Sequence, residues 1–66
     1  MPLVQISIIE GRSPEQKEKL ISAITDAVNK SIQAPPAAIR VLINEMPAAH
    51  WGVAGVSKAK QQEESK

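Results

Sequence analysis

Pro2 stands directly behind an initiator methionine, a setting in which the leading residue is commonly removed. Within a chain, a proline nitrogen is a tertiary amide with no proton to donate and no basicity. At a free terminus it becomes a secondary amine, and an α-amino group has an unperturbed pKa of about 8. Apolar walls and neighbouring cations lower such a value further. A rigid ring amine poised near neutrality suits general-base or nucleophilic work. If Met1 stays in place, the amine does not exist and that chemistry is lost.

Two cations and one aromatic residue could serve such a base. Arg12 follows the break Glu10-Gly11, and Arg40 lies inside an otherwise apolar run. Each reads in one of two ways. Arg12 is a solvated loop cation, and Arg40 part of a structural ion pair across an interface; or both hold a carboxylate through the planar guanidinium fork. Trp51, between His50 and Gly52, is the chain's single aromatic residue. It reads as an interface anchor or as an apolar wall that depresses the pKa of a nearby amine. His50, Asn44 and Glu45 are weaker candidates, since a lone histidine more often sits on the surface.

These residues must be positioned by three elements. From Leu3 to Ile9, Val4, Ile6 and Ile8 alternate with Gln5 and Ser7, the period of a strand. Ser13 is a good helix N-cap, Pro14 fits the first helical position, and Gln16 completes a capping box. Leu20, Ile21, Ile24, Val28 and Ile32 then fall on one stripe of that helix. Ala34-Pro35-Pro36 ends it, because the residue before proline leaves the α region. Ile39 to Met46 forms a second strand, with Ile39, Val41 and Ile43 toward the helix and Arg40, Leu42 and Asn44 away from it. The order strand, helix, strand predicts an α/β fold, a βαβ unit with parallel strands and a right-handed crossover. A hairpin or short strand is expected near Val53. The domain spans residues 1–56, and 57–66 reads as a frayed polar tail.

With 66 residues and no cysteine, the chain has neither the size nor a disulfide staple for a robust solitary core. One helix covers only one face of the sheet, so the other face is expected to meet another subunit. The net charge of +1 argues against a nucleic-acid surface. No apolar run approaches a membrane span, and one histidine without cysteine makes a dedicated metal site unlikely. The expectation is a soluble, cytoplasmic homo-oligomer with no metal, no cofactor, no nucleic acid and no membrane partner, acting on a small-molecule carboxylate.

Taken together, Pro2 behind Met1, Glu-Gly-Arg-Ser-Pro-Glu-Gln-Lys at 10–17, Ala-Pro at 34–35, Arg40, Glu45-Met46 and His-Trp-Gly-Val-Ala-Gly at 50–55 resemble 4-oxalocrotonate tautomerase over nearly the whole chain. The resemblance implies a βαβ fold with a C-terminal hairpin and a hexamer built as a trimer of dimers. It also implies cofactor-free isomerisation of an unsaturated 2-oxo acid, of the kind met in aromatic-hydrocarbon breakdown. By position, Pro2 is then the general base, and Arg12 grips the distal carboxylate. Arg40 binds the 2-oxo and carboxylate oxygens, and Trp51 takes the place of an aromatic that is usually Phe. One pocket would draw these residues from neighbouring subunits. Trp51 for Phe, Ala54 for a common glycine and Pro36 after Pro35 depart from the pattern. A hydratase or dehalogenase on the same scaffold, or a non-catalytic oligomer retaining Met1, are the alternatives.

Overall fold

The structure, a computed structural model, describes residues 1–64, with side-chain environments through residue 62. Strand β1 (Leu3–Ile9) and strand β2 (Arg40–Met46) run parallel, with Leu3 opposite Arg40 and Ile9 opposite Met46. Helix α1 (Pro14–Ile32) makes the crossover between them and packs on β2. This is the βαβ unit expected from the pattern. The ladder runs one bond past the strands at each end: Arg40 N–H donates to Pro2 O at 3.0 Å, and Glu10 N–H to Met46 O at 2.9 Å.

Helix α1 begins as its first residues dictate. The Ser13 hydroxyl accepts from Gln16 N–H at 3.1 Å, and the Gln16 side chain accepts from Ser13 N–H at 2.9 Å. That exchange satisfies two donors that would otherwise be left open. The helix ends slightly sooner than the prolines require. Gln33 takes a left-handed conformation at φ 60° and donates to Asn29 O, while Asn29 Nδ2 holds Ala34 O at 2.8 Å. Ile32, placed on the apolar stripe by spacing, is 62% exposed, so the packed part of the stripe stops near Val28.

The two faces of the sheet differ sharply. Val4, Ile6, Ile8, Val41 and Ile43 are half-buried on the helix side, and Ile39, just ahead of β2, is buried at 7%. On the opposite side Leu3, Gln5, Ser7, Arg40, Leu42 and Asn44 are all exposed, Leu3 at 57% and Leu42 at 47%. Ile39 is the one buried hydrophobic residue among those described. One chain therefore encloses very little core, as its size and single covering helix require.

Beyond β2 a 3-10 turn at Ala48–His50 leads into an antiparallel hairpin of β3 (Gly52–Val53) and β4 (Val56–Ser57). Ala54 and Gly55 link the strands with φ of 55° and 82°. Positive φ at both central residues is the mark of a type I′ turn, whose twist suits a hairpin.

The expectation of a frayed tail from residue 57 is corrected here. Ser57 closes β4, and Lys58–Glu64 form helix α2, which packs against the 3-10 turn and β4. The Ser57 hydroxyl accepts from Lys60 N–H at 3.2 Å, a helix-capping contact. Lys, Ala, Gln and Glu, which fill this segment, are strong helix formers, and that propensity outweighs the missing apolar period. Residues 65 and 66 of the expected tail lie outside the described residues.

Candidate active site

Strand register brings Pro2 and Arg40 together. Leu3 lies opposite Arg40, and the Arg40 amide donates to the Pro2 carbonyl, so both residues sit at one end of the sheet. Pro2 is half-buried, whereas Met1 is 86% exposed. Losing Met1 therefore costs almost no packing and bares the ring nitrogen at a position already fixed by the ladder.

The Arg40 side chain lies on the open face of the sheet, and its Nη1 donates to Ala37 O at 2.7 Å. Ala37 belongs to a 3-10 turn at Pro36–Ala38, entered from Pro35 at φ −65°. Two consecutive prolines restrict this turn before any contact is made. The carbonyl occupies part of the guanidinium and leaves other N–H groups of the fork free for a ligand.

Arg12 and Trp51 lie elsewhere. Arg12 follows the C-terminal end of β1, in an exposed loop whose Gly11 adopts φ 125°, a conformation suited to glycine. A strand rises about 3.3 Å per residue, so the seven residues of β1 hold Pro2 and the Arg12 loop roughly 20 Å apart. Trp51 follows the C-terminal end of β2 through the Ala48–His50 turn and is half-buried. Its amide donates to Ala48 O at 3.2 Å, and its carbonyl accepts from Lys58 N–H at 2.7 Å. His50 is exposed at the end of that turn.

A single chain thus unites Pro2 with Arg40 and keeps Arg12 and Trp51 at the far end. The described residues of one chain enclose no pocket. They also bring together no group of three or more His, Asp or Glu side chains, and no helix among them is long and apolar enough to cross a membrane.

Two supports of the far end have little or no signature in the sequence. Lys17 Nζ meets Glu45 Oε1 at 2.8 Å, although helical register places Lys17 toward solvent and Glu45 is only a marginal candidate by type. Helix α2 holds the hairpin, with Gln61 Nε2 donating to Val53 O at 3.3 Å. The signal for α2 is its helix-forming composition after Ser57. The ion pair has no local signal, because its partners are 28 residues apart.

Comparison with known proteins decides what this arrangement belongs to. The family model described as tautomerase enzyme matches residues 2–61. This chain is a member of the tautomerase family. It is 51% identical over 57 residues to a 2-hydroxymuconate tautomerase of Stutzerimonas stutzeri, covering 86% of this chain and 90% of that protein. Among solved structures, TomN, a 4-oxalocrotonate tautomerase homologue in the tomaymycin biosynthetic pathway, superposes with a TM-score of 0.96 at 34% identity, covering 98% of this chain and 100% of that one. A heterohexamer 4-oxalocrotonate tautomerase from Chloroflexus aurantiacus gives 0.88 at 42% identity, covering 91% and 97%. The tautomerase described here is thus of the 4-oxalocrotonate type, with its βαβ unit and C-terminal hairpin, and it is an isomerase.

Proposed function

We propose that this tautomerase isomerises an unsaturated 2-oxo acid or its 2-hydroxydienoic form, with the Pro2 amine, freed by loss of Met1, as general base. The observation that carries this reading is the pairing of Pro2 with Arg40 at one end of the sheet. A base that takes a proton from carbon next to a conjugated carbonyl leaves negative charge on the carbonyl oxygen. A preorganised guanidinium at that oxygen stabilises the charge as it develops. The amine then returns the proton to a different carbon of the conjugated chain, and the oxo acid is regenerated as its isomer. No bond other than those to the moving proton is made or lost outside the shifted double bonds.

Arg12 holds the distal carboxylate, and Trp51 lines the pocket and lowers its polarity. Because one chain separates Arg12 from Pro2 by the length of β1, the complete site is composite, with the far end supplied by a neighbouring subunit. The exposed sheet face carrying Leu3, Leu42 and Arg40 supports burial against further copies. A homohexamer fits this need, by analogy with the heterohexameric relative. The 2-hydroxymuconate tautomerase relative favours a dicarboxylate substrate, for which two arginines provide two clamps.

Intact mass spectrometry of the purified protein should show loss of one methionine. Pro2→Ala should lower kcat on a 2-hydroxydienoate by about 10²-fold, since a positioned base contributes on that order. The pH–rate profile of the parent should rise through an apparent pKa below the usual α-amino value, because a neighbouring guanidinium and apolar walls disfavour the charged amine. A retained methionine, or a Pro2→Ala protein as fast as the parent, would remove the proposed base.

A further inference from the structure

The ion pair between Lys17 and Glu45 has no part in the reaction just described, yet it occupies a telling place. Lys17 Nζ lies 2.8 Å from Glu45 Oε1, and both side chains are about two-thirds buried, at 28% and 32% exposure. Lys17 stands in the opening turns of α1, and Glu45 is the penultimate residue of β2, opposite Ile8 in register. The short loop carrying Arg12 joins β1, the strand paired with β2, to the start of α1.

The two ends of that loop are anchored in different frames. Its entry is tied to the sheet, by Glu10 N–H on Met46 O. Its exit is tied to the helix, by the Ser13–Gln16 capping box and by Lys17 N–H on Ser13 O at 3.1 Å. Among the polar contacts made by the described residues 10–17, the Lys17–Glu45 pair is the one that joins the helix frame to the strand frame. Gly11 in between gives the loop freedom to swing if the frames shift.

We propose that Lys17 and Glu45 are positioning residues for Arg12, fixing the distal carboxylate clamp and so the preference for a diacid over a monoacid. The inference rests on Arg12 being that clamp, as set out under Proposed function. A bidentate guanidinium contact tolerates little displacement, so releasing one frame weakens the far clamp and leaves the near clamp at Arg40 untouched. Arg40 begins β2, five residues before Glu45 on the same strand, and is held there by Ala37 O and by its own amide on Pro2 O, neither of which involves Lys17 or Glu45.

The test is equilibrium binding by calorimetry, with adipate as the diacid and hexanoate as the monoacid, so that turnover is not needed. Arg12→Ala should lower the ratio of adipate to hexanoate affinity by about tenfold or more. Glu45→Gln should weaken adipate by about fivefold, without effect on hexanoate. The double swap Lys17→Glu with Glu45→Lys should recover adipate affinity to within about twofold of the parent. The positioning role alone is overturned if Arg12→Ala loses adipate while Glu45→Gln binds it like the parent. Equal weakening of both acids by Glu45→Gln also overturns it, since that reports general loosening. If Arg12→Ala leaves adipate affinity intact, the clamp reading itself fails and takes this role with it.

Discussion

The two ends of the βαβ unit are built by different means. At the Pro2–Arg40 end, a backbone ladder does the positioning. Arg40 N–H on Pro2 O continues the strand register, and no side chain is needed to hold the two residues adjacent. At the Arg12–Trp51 end, positioning depends on capping, turns and side-chain contacts: the Ser13 box, the Lys17–Glu45 pair, and Lys58 N–H on the Trp51 carbonyl. Under the roles proposed for them, the base Pro2 and the charge-facing Arg40 sit on the end held by the ladder. Arg12 and Trp51, proposed to choose the substrate, sit on the end that can vary without disturbing the ladder. Such a division lets one fold keep its proton transfer while changing the acid it accepts.

The largest effect on this division should come from separating the chains. Leu42 is half-exposed at the centre of the open sheet face, between Arg40 and Asn44. Leu42→Glu places a charge where the proposed composite site requires burial, at a cost of several kcal/mol per buried unpaired carboxylate. Sedimentation velocity should show smaller species, and activity should disappear with the assembly, although Pro2 and Arg40 remain adjacent in each chain. A fully active, dissociated Leu42→Glu protein would mean that both ends are not needed from different subunits.

Next in size is a contrast between the two arginines. Arg40→Ala should lower kcat by about 10²- to 10³-fold, the usual loss for a donor at a developing oxyanion. Arg12→Ala should chiefly raise KM for a diacid, because it acts on a part of the substrate that does not react. Refolding the two variants together sharpens the point. Some mixed sites would combine Arg40 from one chain with Arg12 from another, so activity should exceed that of either variant alone. A mixture no faster than the sum of its parts would place both arginines of each site in one chain, which the length of β1 opposes.

What could be read from the residues divides along the same line. The alternation of Val4, Ile6 and Ile8, the Ser13-Pro14-Gln16 cap and the apolar run at Ile39–Ile43 each express a local rule, and each formed the element expected. The open sheet face could also be foreseen, since one amphipathic helix covers one side of two strands. The separation of Arg12 from Pro2 within a chain follows from strand length alone, once the pairing is known. The Lys17–Glu45 contact could not be read locally, since it depends on how α1 lies across β2. Helix α2 escapes a periodicity reading for another reason: its side chains have no sustained apolar period, and its start depends on the Ser57 cap and on packing against the Ala48–His50 turn. The tighter end of α1 is set by a left-handed Gln33, a conformation that side-chain type signals only weakly.

The smallest effect probes the far end without touching either arginine. Ala54 holds φ 55° in the hairpin turn, where the Cβ of an L-residue costs roughly 1–2 kcal/mol. Glycine at that position removes the strain but adds unfolded-chain freedom worth roughly 0.5–1 kcal/mol. Relief of strain outweighs the added freedom, so Ala54→Gly should stabilise the protein by about 0.5–1 kcal/mol, measured as a higher denaturant midpoint at fixed protein concentration. Because Trp51 is held from outside the turn, by Ala48 O and Lys58 N–H, diacid KM should not change. A stabilised variant with altered KM would show that the strained turn helps place Trp51, and the far end would then be supported by its hairpin as well as by its ion pair and caps. A destabilised variant would mean that Ala54 makes contacts in the assembly worth more than the strain it bears.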